Sequence, residues 1–320
     1  MPTNWRRLYP FESHFLRVAD ARMHYIDTQH DGSEDNGEIL LLVHGNPTWS
    51  FHWRALISAW RGSRRVVAAD HLGCGLSDKP AGTTYRLADR IEHLVELIRQ
   101  LDLTHVTLVA HDWGGAIGLG AALAVPDRFD RFVLLNTGAF PPRGFPWRIR
   151  ILRTPIVGRL AVQGLNLFSQ AALRMTTVTQ RPLPPDVCAG YLAPYDSWPH
   201  RSAVYQFVAD IPQGPAHPSY RKLAEIEARL PRFANRPCQL IWGMQDWCFR
   251  PDSLERFREL FPDARVERIE EAGHWVVEDA TERVIATVDR FLAETCSTGT
   301  VRSMTARPTA DRPDDAANQE

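Results

Sequence analysis

Four short apolar runs recur along the first half of the chain: ILLLV at 39–43, RVVAA at 65–69, VTLVA at 106–110 and RFVLL at 131–135. A strand with one face in water alternates apolar and polar residues, but these runs are apolar on both faces. Both faces must be covered, which is the condition of a parallel sheet held between helices. The intervening segments supply such helices. RLADRIEHLVELIRQL sets Leu87, Ile91, Leu94, Val95 and Ile98 on one stripe. Upstream, FLRVA and RMHYID predict an antiparallel pair turning at Ala19–Asp20. Downstream, CQLIW (238–242) and RVERIE (265–270) resume the strand pattern before a closing helix, TERVIATVDRFL. The expected class is α/β, on a mostly parallel central sheet.

The texture changes from Phe140 to about Pro215, where prolines break short helical pieces and no buried-strand pattern appears. The prediction is a core in two parts, 1–139 and 216–295, interrupted by a helical cap at 140–215 inserted between strands 6 and 7. The polar, proline-bearing stretch 296–320 predicts a disordered tail. No internal repeat is present. The 37 basic and 38 acidic residues nearly cancel, so the charge total offers no basic face for nucleic acid. Cys74, Cys188, Cys238, Cys248 and Cys296 form no C-x-x-C pair, which reads as free thiols in a reducing compartment. The first residues, MPTNWRRLYP, lack the apolar core of a signal peptide, and no run approaches about 18 apolar residues. A cytoplasmic protein with no transmembrane segment is expected.

One strand leads into a turn that carries chemistry. VTLVA runs into HDWGG and then into AIGLGAAL. Ala110 lies two residues before Asp112 and Gly114 two after, as a nucleophile elbow requires. Larger side chains there would collide with the neighbouring strand and helix. The tip projects above the carboxyl edge of the sheet, where open α/β sheets bind ligands. An aspartate before a helix also reads as an N-cap, but two further features favour a reactive role. LLVHGNPTW follows a strand with His-Gly, Asn46 and Pro47; in the α/β-hydrolase architecture this loop gives one backbone N–H of an oxyanion hole. The other comes from the residue after the nucleophile, here Trp113. IWGMQDWCF then puts Asp246 just past one strand, and EAGHWVVED puts His274 just past the next. Nucleophile, acid, histidine is the chain order of this fold's triads, and no G-x-S-x-G offers a competing serine.

An aspartate at the elbow differs from a serine in needing no base, since a carboxyl with an ordinary pKa of about 3.9 is already ionised at neutral pH. It can displace a good leaving group or open a strained ring. His274 would then move a proton or activate water, and Asp246 would orient its imidazole and stabilise the charged form. Gly73 and Gly75 in HLGCGLSDKP read as a tight turn, and neither a Walker loop nor H-E-x-x-H occurs. His44 and His111 read as packing or hydrogen-bonding residues. The aromatics Trp147, Phe168, Tyr191, Tyr195 and Trp198 suit either a pocket lining or helix contacts. IVGRLAVQGLNLF (156–168) suits either an interaction surface or cap core and tunnel wall.

HGNPTWSFHWR, DHLGCGLSDKP, HDWGGAIG and LLNTGAF together resemble the haloalkane dehalogenase group of α/β-hydrolases, over nearly the whole chain up to the tail. The resemblance implies Asp112 as nucleophile, His274 as base and Asp246 as triad acid. It also implies that the side-chain N–H groups of Asn46 and Trp113 hold a leaving halide. Epoxide hydrolases share the HDWGG turn but usually carry an aromatic where Asn46 stands, and they need two cap tyrosines as ring-opening acids. Tyr191, Tyr195, Tyr205 and Tyr220 keep that option open. The insertion, with GFPWRIRILRTPIVG, YLAPYDSWPHRSAVYQFVADIP and EIEARLP, is most similar to one branch of the group, the β-lactone decarboxylases of bacterial long-chain olefin biosynthesis. That branch implies conversion of a cis-3-alkyl-4-alkyloxetan-2-one into a cis-alkene and carbon dioxide. It implies no metal or organic cofactor, a hydrophobic small-molecule substrate, and assembly with the β-lactone synthetase of the pathway. The expected enzyme is therefore a carbon–carbon lyase, with hydrolytic dehalogenation as the alternative and epoxide hydrolysis behind it. A scaffold without activity is disfavoured by the intact set of Asp112, His274 and Asp246. The residues leave open whether Asp112 attacks the oxygen-bearing ring carbon or the lactone carbonyl.

Overall fold

The doubly apolar runs become the inner strands of an eight-stranded sheet. The computed structural model of the protein describes residues 4–28, 38–142, 144 and 147–302. The strands are β1 (His14–Val18), β2 (Ala21–Asp27), β3 (Ile39–Val43), β4 (Arg65–Ala69), β5 (Val106–Asp112), β6 (Phe129–Thr137), β7 (Cys238–Gly243) and β8 (Arg265–Ile269). Their spatial order is β1-β2-β4-β3-β5-β6-β7-β8. β1 pairs antiparallel with β2 across Val18 and Ala21, and β2 antiparallel with β4; the remaining pairs are parallel. Successive residues of β3 feed opposite faces, as the pleat requires. Leu41 joins a core with Leu108 and Leu240, whereas Leu40 and Leu42 join Trp53, Val109 and Ile241 on the other side.

Helices cover both faces. α1 (Arg54–Trp60) lies with the second core, and α2 (Leu87–Gln100) turns its stripe of Leu87, Ile91, Leu94, Val95 and Ile98 into the first. α3 (Trp113–Ala124) leaves the elbow and is buried almost all round. Its first turn can approach the sheet because Gly114 has no side chain: a Cβ there would stand 2.1 Å from the Val43 carbonyl oxygen.

Between β6 and β7 the described chain forms only helices, among them Trp147–Leu152, Leu167–Met175, Pro185–Leu192 and Ser202–Ala209. The next helix, Pro218–Arg229, packs back on α2 and α3. The helical segment is tied to the sheet's carboxyl edge by backbone and side-chain bonds. Trp275 N–H donates to the Thr176 carbonyl at 2.9 Å, and Trp247 Nε1 donates to the Met175 carbonyl at 3.0 Å. The expected tail needs one correction. The last helix runs Thr281–Arg302, past the boundary at 295, because each added residue of an established helix gains a hydrogen bond without a new nucleus. Residues 303–320 of that expected tail lie outside the described residues.

Candidate active site

The three predicted triad residues converge at the carboxyl ends of β5, β7 and β8. Asp112 ends β5 with φ 54° and ψ −128°, a left-handed conformation that a non-glycine residue adopts only when its surroundings enforce it. The enforcement is visible in the closeness of its neighbours. A Cβ on Gly45 would lie 2.0 Å from Asp112 Oδ1, and one on Gly115 would lie 2.0 Å from Thr137 Oγ1. Asp112 occupies the N-cap position of α3, yet its side chain makes no capping bond. Instead Oδ1 accepts the backbone N–H of Asn46 at 2.7 Å, and the nearby backbone N–H of Trp113 also favours the ionised carboxylate. Oδ2 is turned to His274, 3.6 Å from its Nε2.

His274 Nδ1 lies 2.8 Å from Asp246 Oδ2, so the imidazole stands between two carboxylates. Burial opposes its charged form, but Asp246 and Asp112 outweigh it and raise the pKa from 6.5 to about 10. His274 is therefore an imidazolium in the resting site at neutral pH. Burial pushes Asp112 upward, but the charge of His274 3.6 Å away, with the Trp113 N–H, holds its pKa below 3.8. A pre-formed anion and a pre-formed cation face each other across the site.

Behind them lie histidines kept neutral. His111 Nε2–H donates to the His274 carbonyl at 2.8 Å, and burial together with the positive His274 lowers its pKa to about 4. His52 stacks on His111 at 4.8 Å and donates through Nδ1 to Tyr191, which donates to Glu278. His44 Nδ1 bonds the Gly45 carbonyl at 2.7 Å and its Nε2 accepts from His71 N–H. His44 and His111 thus hold loops, as the sequence predicts.

One residue that holds the acid went unremarked in the sequence. Asn136, near the carboxyl end of β6, donates from Nδ2 to Asp246 Oδ2 at 2.9 Å and to the Gly243 carbonyl at 3.0 Å. Its Oδ1 accepts Gly243 N–H at 2.8 Å, and Cys248 N–H donates to Asp246 Oδ1 at 2.6 Å. The available signal was a polar residue directly after the apolar run FVLL, at the end of a strand.

Above the triad is a cavity of about 890 Å³. Asn46, Asp112, Trp113 and His274 form its floor; Ile149, Leu152, Phe168, Ala172, Met175 and Val208 are among its apolar walls. Asn46 Nδ2 donates to the Val204 carbonyl at 3.2 Å, leaving a second amide hydrogen, and the Trp113 ring packs 5.7 Å from Phe207. Of the four tyrosines weighed as ring-opening acids, only Tyr220 lines the cavity. Tyr191 is engaged with His52 and Glu278, and Tyr195 bonds the Thr48 carbonyl at 3.3 Å. Two lining tyrosines, the equipment of an epoxide hydrolase, are not assembled among the described residues. Phe168 lines the cavity, Tyr191 and Tyr195 fill helix contacts, and Trp198 is exposed; the Trp147 side chain lies outside the description. No group of three or more His, Cys, Asp or Glu side chains suited to a metal ion occurs among the described residues.

Sheet order, elbow and three-residue constellation define an α/β hydrolase with an aspartate in the nucleophile position. The family model described as "alpha/beta hydrolase fold" matches residues 38–281. A cis-3-alkyl-4-alkyloxetan-2-one decarboxylase of Shewanella oneidensis is 40% identical over 90% of this chain and 90% of its own length. One from Xanthomonas campestris pv. campestris is 36% identical over 89% of this chain and 98% of its own. The crystal structure of a haloalkane dehalogenase from Bradyrhizobium elkani superposes with a TM-score of 0.81 at 25% identity, covering 90% of this chain and 99% of that one. The chain belongs to the α/β-hydrolase family, among relatives that include these decarboxylases and haloalkane dehalogenases.

Proposed function

We propose that this enzyme decarboxylates a cis-3-alkyl-4-alkyloxetan-2-one, with Asp112 as nucleophile, and that attack falls on the oxygen-bearing ring carbon. One observation carries the choice of carbon. The backbone N–H of Asn46, which with that of Trp113 would hold a carbonyl oxyanion, is already engaged by Asp112 itself at 2.7 Å. It holds Oδ1 and leaves Oδ2, with the His274 imidazole 3.6 Å away, as the attacking oxygen, the arrangement for displacement at a tetrahedral carbon.

Asp112 Oδ2 attacks opposite the ring C–O bond; that bond breaks, and its electron pair leaves on the lactone oxygen as a carboxylate. The intermediate is an alkyl ester of Asp112, inverted at the attacked carbon, with the new ester oxygen anti to the carboxylate on the neighbouring carbon. The C–CO₂ bond then breaks, its electron pair forms the alkene, and the ester C–O bond releases Asp112. A cis lactone gives a cis alkene, and neither water nor a net proton is consumed. The Asn46 and Trp113 N–H groups and the His274 imidazolium stabilise Asp112 as it regains its charge. A protonated His274 suits this route, because it does not begin as the base that hydrolysis of an ester requires.

The reading of hydrolytic dehalogenation rests on the same floor, with Asn46 and Trp113 facing the leaving group and His274 activating water. Parallel assays separate the two. A cis-3,4-dialkyl β-lactone is expected to yield alkene by gas chromatography, while a 1-bromoalkane yields little bromide; bromide without alkene overturns the decarboxylase reading. The same reading sets the enzyme in cytoplasmic long-chain olefin biosynthesis, in a complex with the β-lactone synthetase, which co-purification of the pair tests.

A further inference from the structure

The cap concentrates one sign of charge and most of the exposed apolar surface. From 140 to 185 it has arginines at 143, 148, 150, 153, 159, 174 and 181 and no aspartate, glutamate or lysine, in a chain whose 37 basic and 38 acidic residues nearly cancel as a whole. The same region holds the exposed side chains of Ile151, Ile156, Val157, Leu160, Leu165 and Leu167, with Ile156 75% and Leu165 65% exposed. Trp198, also exposed, lies against them: the Gln163 side chain donates to its carbonyl at 3.3 Å, and the Arg159 guanidinium stands 5.8 Å from its ring. Among the described residues Phe15 is the one large exposed hydrophobic outside this region.

The segment is two-sided. Ile156 and Leu160, four residues apart, share the outer side with Val157, while Gly158, Val162 and Gln163 turn inward. It connects two helices that line the catalytic cavity, one through Ile149 and Leu152, the other through Phe168, Ala172 and Met175. An apolar outer surface therefore continues into an apolar inner wall.

We propose that this cap face docks on the surface of an anionic lipid bilayer, so that the cavity takes its water-insoluble substrate from the lipid phase. Aliphatic side chains beside arginines suit the boundary between headgroups and acyl chains, where the guanidinium groups meet lipid phosphates and a tryptophan anchors the interface. Within 140–185 no carboxylate adds repulsion toward an anionic surface, and beside Trp198 the exposed Asp196 is paired with His200 at 2.7 Å. Attachment is peripheral, since no helix among the described residues is long and apolar enough to cross a membrane. Uptake from the lipid phase rests on the hydrophobic substrate proposed above, whereas the docking itself does not, and its test does not use turnover.

Wild-type protein and a Leu160→Asp, Leu165→Asp double variant would be sedimented with phosphatidylcholine vesicles, alone or with about a third phosphatidylglycerol. The wild type is expected to pellet with the anionic vesicles at low salt, and about tenfold less with neutral vesicles or in high salt. The double variant is expected in the supernatant with both, at an unchanged melting temperature. Arg150→Glu is expected to weaken binding to anionic vesicles while leaving the weak binding to neutral ones as it was. Failure of the wild type to pellet with anionic vesicles overturns the proposal, as does equal pelleting of the double variant. A wild-type dimer that the double variant splits into monomers also overturns it, because a second copy would then cover this face.

Discussion

Asp112, Asp246 and His274 stand at the ends of three strands of one sheet, buried, each carboxylate accepting a backbone N–H, whereas the side chains facing them across the cavity come from short helices broken by prolines. In the base, a backbone N–H holds one oxygen of each carboxylate: Asn46 N–H on Asp112 Oδ1 and Cys248 N–H on Asp246 Oδ1. In the cap, the lining is mostly aliphatic and aromatic, a surface that would hold a hydrophobic substrate by area. The difference teaches where reaction and selectivity reside. Charge positioned to within an ångström belongs to the sheet, and chain length belongs to a layer that can be repacked without moving the charges.

The largest effect that could break this division is at Asp112, the proposed nucleophile. Asp112→Asn keeps the shape and removes the attacking anion, so alkene formation should fall by about 10⁴-fold or more while the melting temperature stays near wild type. Substantial residual turnover would remove Asp112 from the mechanism. A matched pair of glycine substitutions sharpens the contrast in stability. Gly114→Ala sets a methyl 2.1 Å from the Val43 carbonyl and should cost about 3 kcal/mol in urea unfolding. Gly144→Ala, in the cap, meets no atom within 4 Å and should change stability by less than about 0.5 kcal/mol.

Asn136 comes next, as a positioning residue. Asn136→Ala deletes its bonds to Asp246 and to both backbone groups of Gly243, so kcat should fall about 10- to 100-fold with KM little changed. A purely structural role would lower the melting temperature and leave the pH profile of the remaining activity in place. Loss of Asp246 orientation should instead move its alkaline limb downward. The charges themselves set the sign. Because the His274 pKa is raised to about 10, its ion pairs contribute stability that is fully present below about pH 6.5 and is lost as pH climbs through about 10. Asp112, held below 3.8, contributes stability present above that value and lost on further acidification. Activity should therefore extend to near pH 10 in the wild type. In Asp246→Asn the alkaline limb should move toward 6.5, and an unmoved limb would take Asp246 out of the charge balance.

What the sequence discloses follows the same division. The inner strands, the elbow and the order Asp112, Asp246, His274 are legible because each depends on residues adjacent in the chain: two-faced apolar runs, Ala110 and Gly114 around a turn, a polar residue just past a strand. Asn136 is not legible in this way, since its partners lie on β7 and beyond it, more than a hundred residues downstream. The cap is harder still. Its short helices take their orientation from tertiary packing rather than from a long periodic stripe. Periodicity alone therefore leaves the 156–168 segment between surface and core; in the structure it is divided, with Ile156 exposed and Val162 buried. The tyrosines show the same limit. Four lie in or near the insertion, and only the folded chain reveals that Tyr220 alone reaches the cavity.

The smallest expected effect tests whether the cap governs selectivity without touching the chemistry. Phe168 lines the cavity from the helix Leu167–Met175 and makes none of the hydrogen bonds that hold Asp112, Asp246 or His274. In Phe168→Ala the wall loses aromatic area, which in a hydrophobic pocket is worth about 1–3 kcal/mol of substrate binding. KM for a long-chain β-lactone should rise about tenfold, KM for a short-chain one should barely change, and kcat should stay within about twofold for both. The comparison across chain lengths is the informative part. A uniform fall in kcat would mean that the cap wall also positions the ring against Asp112 Oδ2, and the division between a charged base and an adaptable cover would then not hold at this residue.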